Sequence, residues 1–529
     1  MRIFSSSFLL AGFIAFFILP AKVSADSIVS FANLHFHSQF EEKAFMQLKS
    51  DSVPDYFYIF LAADKSITEN DYKNYKEKLN LVLSPFNKKS FLKLKAKKKV
   101  SKVFKQVQDQ LMDKYVETAL FSDLFKKGEY QCVTSSMLFS DIFDKLGIPY
   151  QINFVPNHVY LTAYPETAKV IVQTTSPEKG VIVYDKVFKS KYVQYLRKNK
   201  LIGKNDYETQ SIDELFARYY LKNDTADLKQ LAAMQYTNMA IFNLQNSEID
   251  ESFNNMLKAY YLNPDSKNKF MLTLTLGMKM DNTDVADSLY APYFVMLYKL
   301  TQSNLNSESI ISIFQNISEK QLKNKGDVTL YEKSYSSITS GISDSALRNK
   351  ISYYYNWEMG IWFFNQQQSD KAKPYLEKAL LLQPDNLKVQ SLIVKLFALQ
   401  AQAFNSDTKK FIVLYDSSIV LFNRHKSLQK NNKYVNLLYK MELRLAGNYY
   451  YRGKPNEGLP YLNKFEEMAA QTQIPLSFRT EQIVERAYSS IAVYYYKRNL
   501  VLKARSAVKQ GLKYYPDSFN LQERLKALN

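Results

Sequence analysis

The sequence predicts an α+β N-terminal domain followed by an all-α helical solenoid. Three observations carry that prediction. Up to about residue 205 the apolar pattern mixes helical with alternating periods, and beyond about residue 215 the strand signals fade. The second half then repeats one spacing of small residues and prolines. Glycine is scarce, 13 of 529 residues against roughly 7% in average proteins, which favours long helices with few tight turns. The 40 tyrosines and 35 phenylalanines supply bulky filler for helix packing.

Residues 1–25 read as a secretory signal peptide. Arg2 is the positive start, Phe8 to Leu19 the apolar stretch, and Val23-Ser-Ala25 the small-residue cleavage site. Export to a periplasm or the exterior, soluble after cleavage near Ala25, is the expectation. No later stretch is apolar enough for a membrane span. The expected domains are then 26–205 and the helical array 215–529. One cysteine in the whole chain excludes an internal disulfide, so apolar burial must carry the core.

His35 and His37 flank Phe36 on an expected early strand, with no third residue at metal-ligand spacing. Lys88 to Lys105 holds nine lysines interleaved with Phe91, Leu94, Val100, Val103 and Phe104. Such a run reads as the solvated face of a packed helix, or alternatively as a patch for polyanions. The formal charge of +19 also suits polyanions, which for an exported chain are envelope polymers and not nucleic acid. Val100, Val103, Phe104, Val107, Leu111 and Tyr115 recur at helical spacing over 99–118.

A second helix is expected from Val133, with Leu138, Phe139, Ile142, Phe143 and Leu146 inward, stopped by Gly147 and Pro149. The period then changes. Tyr150 to Val155 alternates, His158 to Ala163 is rich in strand formers, Tyr164 to Ala168 is a turn, and Lys169 to Thr175 returns as a partner strand. Val181 to Tyr184 adds another expected strand.

In the second half a small residue n is followed by small residues at n+12 and n+19 and a proline at n+24. Gly360, Ala372, Ala379 and Pro384 fit this ruler, as do Ala492, Ala504, Gly511 and Pro516, and Ala240, Ser252, Ala259 and Pro264. Ala446 and Gly458 begin a fourth unit without the proline. Small residues suit close helix crossings, and the proline ends the second helix. The units resemble tetratricopeptide repeats. Stretches 265–350 and 385–440 are expected to be degenerate helical pairs, because a solenoid needs stacked neighbours.

Cys132 stands where a loop turns into an apolar helix, a position whose dipole pushes a thiol toward thiolate. His158 on a following strand can take its proton, and Gln173 is the nearest polar group on the strand after that. The motifs Tyr130-Gln-Cys-Val-Thr-Ser-Ser136, Leu146-Gly-Ile-Pro149, Pro156-Asn-His-Val-Tyr160 and Val170-Ile-Val-Gln-Thr-Thr-Ser-Pro177 occur in this order. This set resembles the bacterial transglutaminase-like superfamily, a papain-type cysteine fold, over residues 115–185 and more loosely 30–205. The resemblance implies Cys132 as nucleophile and His158 as general base. Gln173 takes the place where the family usually has Asp or Glu. A neutral amide can hold an imidazole but cannot stabilise an imidazolium by charge. Glu166, Glu178 and Asp185 lie nearby in sequence without marking themselves as substitutes. His425, in a basic helical segment, reads as a surface residue.

Two functions follow as expectations. One is an exported cysteine protease, amidase or transglutaminase-like acyl transferase, with repeats that bind protein or peptide partners and no cofactor or metal. The other is an interaction scaffold whose cysteine module has lost activity and whose repeats carry the function.

Overall fold

A computed structural model describes residues 28–50, 53–155, 158–175, 180–183, 186–198, 202–219, 224–301 and 306–528. The signal-peptide segment, Glu178 and Asp185 lie outside them. The described chain is mostly helical, with a small sheet in its N-terminal part and a helical C-terminal region. It forms two compact units, one drawn from Met1–Asp284 and Met296–Gln302, the other from Val285–Val295 and Ser303–Asn529. No helix among the described residues is long and apolar enough to cross a membrane.

In the first unit the helix Ala96–Leu111 buries Val100, Val103, Phe104, Val107 and Leu111, one stripe at the expected spacing, but it ends short of 118, and Tyr115 stands exposed on the short strand Lys114–Tyr115. The thiol helix, Cys132–Leu146, buries Val133, Met137, Leu138, Phe139, Ile142 and Phe143. It ends at Gly147, whose φ of 61° is left-handed, while the Ile148 amide donates to the Phe143 carbonyl at 2.9 Å. Phe104 stacks on Phe139 with centroids 5.4 Å apart. Gly180 lets the sheet close onto this pair, since a Cβ there would fall 2.0 Å from Phe104 Cζ.

The five-stranded sheet is antiparallel throughout, in the order Val181–Ile182, Val170–Val172, His158–Ala163, Tyr150–Val155, Asp224–Ala226. Leu161 pairs with Val172 and Ile152 with Leu161. The turn between His158–Ala163 and Val170–Val172 is closed by a 2.9 Å bond from the Lys169 amide to the Tyr164 carbonyl. Asp224–Ala226 has no apolar alternation and is a strand because it borders Ile152–Phe154. A separate short parallel pair joins Lys114–Tyr115 to Glu129–Tyr130, just before Cys132.

His35 and His37 do not lie on a strand. They sit between a short 3-10 turn, Phe31–Asn33, and the helix Gln39–Gln47. There His37 serves Glu41, its amide donating to Oε2 at 2.9 Å. The same unit holds the helix pair Leu228–Gln245 and Ile249–Leu262, crossed at Ser252, whose hydroxyl donates to the Ala240 carbonyl at 2.7 Å. Buried polar bonds fasten this pair to the N-terminal helices. Gln235 bonds the Phe121 amide and the Phe60 carbonyl, and Lys258 pairs with Glu41 at 2.8 Å.

The second unit is a succession of helices from Ser307–Ile317 to Phe519–Ala527. Its small residues stand at close crossings. A Cβ on Gly360 would fall 2.5 Å from Leu376 Cδ2, and one on Gly458 would fall 3.0 Å from the Ala446 carbonyl oxygen. Ala372, Ala379 and Ala504 are fully buried. Pro384 and Pro516 come just after the cap residues, Gln383 and Tyr515, of the helices Ser369–Leu382 and Val501–Tyr514. His425 is not on the surface. It breaks the chain between Thr408–Arg424 and Lys426–Gln429 and is buried, 5% exposed, where burial pulls its pKa down.

Candidate active site

Gln131 starts the thiol helix. Its side chain accepts from the Val133 amide, and the Thr134 hydroxyl accepts from the Gln131 amide at 2.9 Å, so the first turn is capped reciprocally. This cap leaves Cys132 as the first helical residue. Its sulfur sits 3.7 Å from Gln131 Oε1, placed to donate there. The backbone N–H groups of Val159, Val133 and Cys132 itself face the sulfur. Burial nevertheless pushes the thiol above its ordinary value, and those amides only partly counter it. The helix-start argument for a lowered pKa is therefore outweighed by desolvation.

His158 opens its strand, and its Nε2 lies 2.8 Å from Gln173 Oε1. The register that pairs Leu161 with Val172 continues to set Gln173 across from Tyr160, on the face that His158 shares. An amide oxygen only accepts, so Nε2 carries the hydrogen and the lone pair is left at Nδ1. Among the described residues no hydrogen bond joins the His158 ring to the Cys132 sulfur. The two are nonetheless neighbours, because the Val159 amide that faces the sulfur belongs to the residue after His158. Glu166 is exposed in the turn.

Four further groups shape the site. Ser135 Oγ lies 2.8 Å from Thr174 Oγ1 and 2.7 Å from the Gln131 carbonyl oxygen. Ser136 Oγ donates to the Val159 carbonyl at 3.4 Å. Tyr115 stands edge-on to Tyr130 at 6.0 Å, and its phenol is pushed up by burial and then by the charge of Cys132. Ser135 and Ser136 could have been suspected from their place one turn after Cys132. Thr174 and Tyr115 had no such signal, since only the sheet register and the parallel pair bring them close.

An open cleft of about 770 Å³ runs along the end of the helix Ala96–Leu111, lined by Phe104, Lys105, Gln108, Asp109, Met112 and Gly128; Cys132, His158 and Gln173 are not in its wall. No group of His, Cys, Asp and Glu among the described residues is arranged to hold a metal ion. No protein-family model matches the chain, and no curated protein matches it in sequence.

Proposed function

We propose that this chain is an exported thiol acyl-transfer protein, built from a transglutaminase-like module and a tetratricopeptide-like array that binds protein or peptide partners. The observation that carries the reading is the 2.8 Å bond between His158 Nε2 and Gln173 Oε1. It holds the imidazole in the tautomer whose Nδ1 can accept a thiol proton, the arrangement a cysteine nucleophile needs. Cys132 attacks an amide carbonyl, His158 passes the proton to the leaving amine, and water or a second amine resolves the thioester. The Cys132 amide at the helix start supplies a donor for the oxyanion. Residues 1–25 act as the export signal.

A second reading has its own support. Burial raises the Cys132 pKa, and a neutral amide stands at Gln173. Both favour a module that has lost turnover and serves as a scaffold for the repeats.

The test is hydroxamate release from a glutamine-containing peptide with hydroxylamine as acceptor, beside hydrolysis of the same peptide. Acyl transfer predicts product with the native chain and none with Cys132→Ala. Absence of product from both chains would favour the scaffold.

A further inference from the structure

Residues 78–108 hold ten lysines and not one Asp or Glu. The helix Ala96–Leu111 within this span is electrostatically inverted. Its N-cap is Lys95, no side chain caps it, and no acidic residue occupies its first turn, where Lys97, Lys98 and Lys99 stand instead. Helix starts favour acids and disfavour cations. The neighbouring helix Glu69–Leu83 follows that rule, with Thr68 in a capping box and Glu69 and Asp71 in the first turn.

The cations are also ordered. Val100, Val103, Phe104, Val107 and Leu111 define the buried stripe. Lys95, Lys98, Lys102 and Lys105, three or four residues apart, share an exposed row, Lys98, Lys102 and Lys105 directly opposite the stripe. The row is about 15 Å long at the helical rise. Like charges at this spacing repel. Among the described residues none of the nine lysines from Lys88 to Lys105 pairs with a carboxylate, whereas Lys76, Lys126, Lys145 and Lys189 all do. An ordinary solvated face mixes both signs; this one keeps a repulsive row on an uncapped start.

We propose that this row is a binding surface for a linear phosphate polymer. Successive phosphates would neutralise Lys95, Lys98, Lys102 and Lys105. The first-turn amides, which have no side-chain acceptor, complete a phosphate site at the helix start. The surface is independent of the thiol chemistry.

The experiment uses the full chain without residues 1–25 and inorganic polyphosphate as probe, with polyglutamate as the carboxylate comparison. Affinity is measured across salt concentrations. Lys95→Gln, Lys98→Gln, Lys102→Gln and Lys105→Gln combined should weaken polyphosphate binding roughly tenfold and make the salt slope shallower by about three. A control with the same loss of charge, Lys409→Gln, Lys430→Gln, Lys433→Gln and Lys513→Gln, alters exposed lysines elsewhere and should leave the slope near the parent value. The row variant should melt no lower than the parent, because it relieves repulsion, and polyphosphate should raise the melting temperatures of the parent and the control more than that of the row variant. Equal loss in both variants, no polyphosphate binding by the parent, or equally tight polyglutamate binding would each overturn the proposal.

Discussion

Ser135 Oγ and Thr174 Oγ1, 2.8 Å apart and both buried, tie the helix that opens with Cys132 to the strand end that carries Gln173. Gln173 directly precedes Thr174, so this bond fixes the imidazole's partner relative to the sulfur. Thr174→Val keeps the shape and removes the hydroxyl. It should cost about 1 kcal/mol and slow alkylation of Cys132, with Thr174→Ser restoring the rate. A parent-like alkylation rate in Thr174→Val would confine the bond to packing.

Lys258 and Glu41 are almost wholly buried, and the Tyr236 hydroxyl donates to the same carboxylate at 2.9 Å. Removing the cation alone strands a charge in the core. Lys258→Met should therefore destabilise the first unit by about 3–5 kcal/mol in urea. Adding Glu41→Leu should recover part of that loss. A double variant less stable than Lys258→Met would contradict the pairing argument.

Glu442 is 1% exposed, and burial pushes its carboxyl up to about 8, although Tyr415 donates to it at 2.9 Å. A folded pKa above the unfolded value gives stability that is complete below the ordinary carboxylate range. That stability is lost as pH rises through about 8. Glu442→Gln should flatten this decline, gaining on the parent as pH is raised from 5 to 8 in thermal melts. Parallel pH profiles for the two chains would remove Glu442 as the cause.

Ala379 is fully buried on the helix Ser369–Leu382, and the small-residue ruler puts it at a helix crossing. Ala379→Leu should overpack that crossing and cost about 1–3 kcal/mol. A melting temperature equal to the parent's would show that the small-residue ruler does not mark crossings.

Much of this architecture was legible because it is written in local periodicity. The stripe of Val100 to Leu111, the stop at Gly147 and the prolines after Leu382 and Tyr514 are properties of single segments. Gln173 was singled out as the nearest polar group on the strand after that of His158, at the place where the resemblance expects a carboxylate, and the two side chains meet. What was not legible depends on distant chain. Asp224–Ala226 is a strand only because Ile152–Phe154 offers an edge. His425 sits between Arg424 and Lys426, which read as surface, yet the break in the helix turns it inward. His37 looked like a strand residue and instead braces Glu41, itself held by a lysine far along the chain. The thiol's burial could not be read from its helix position.

The central claim is that His158 acts as the base for Cys132, and iodoacetamide alkylation of the folded chain against pH tests it most directly. Burial raises the thiol, so the rate should climb with pH, and Nδ1 of His158 should shift that climb to lower pH. His158→Ala should slow modification by roughly tenfold near neutrality and move the inflection further upward, since burial alone then sets the thiol. Identical profiles for the parent and His158→Ala, or a thiol that reacts only on unfolding, would contradict the account.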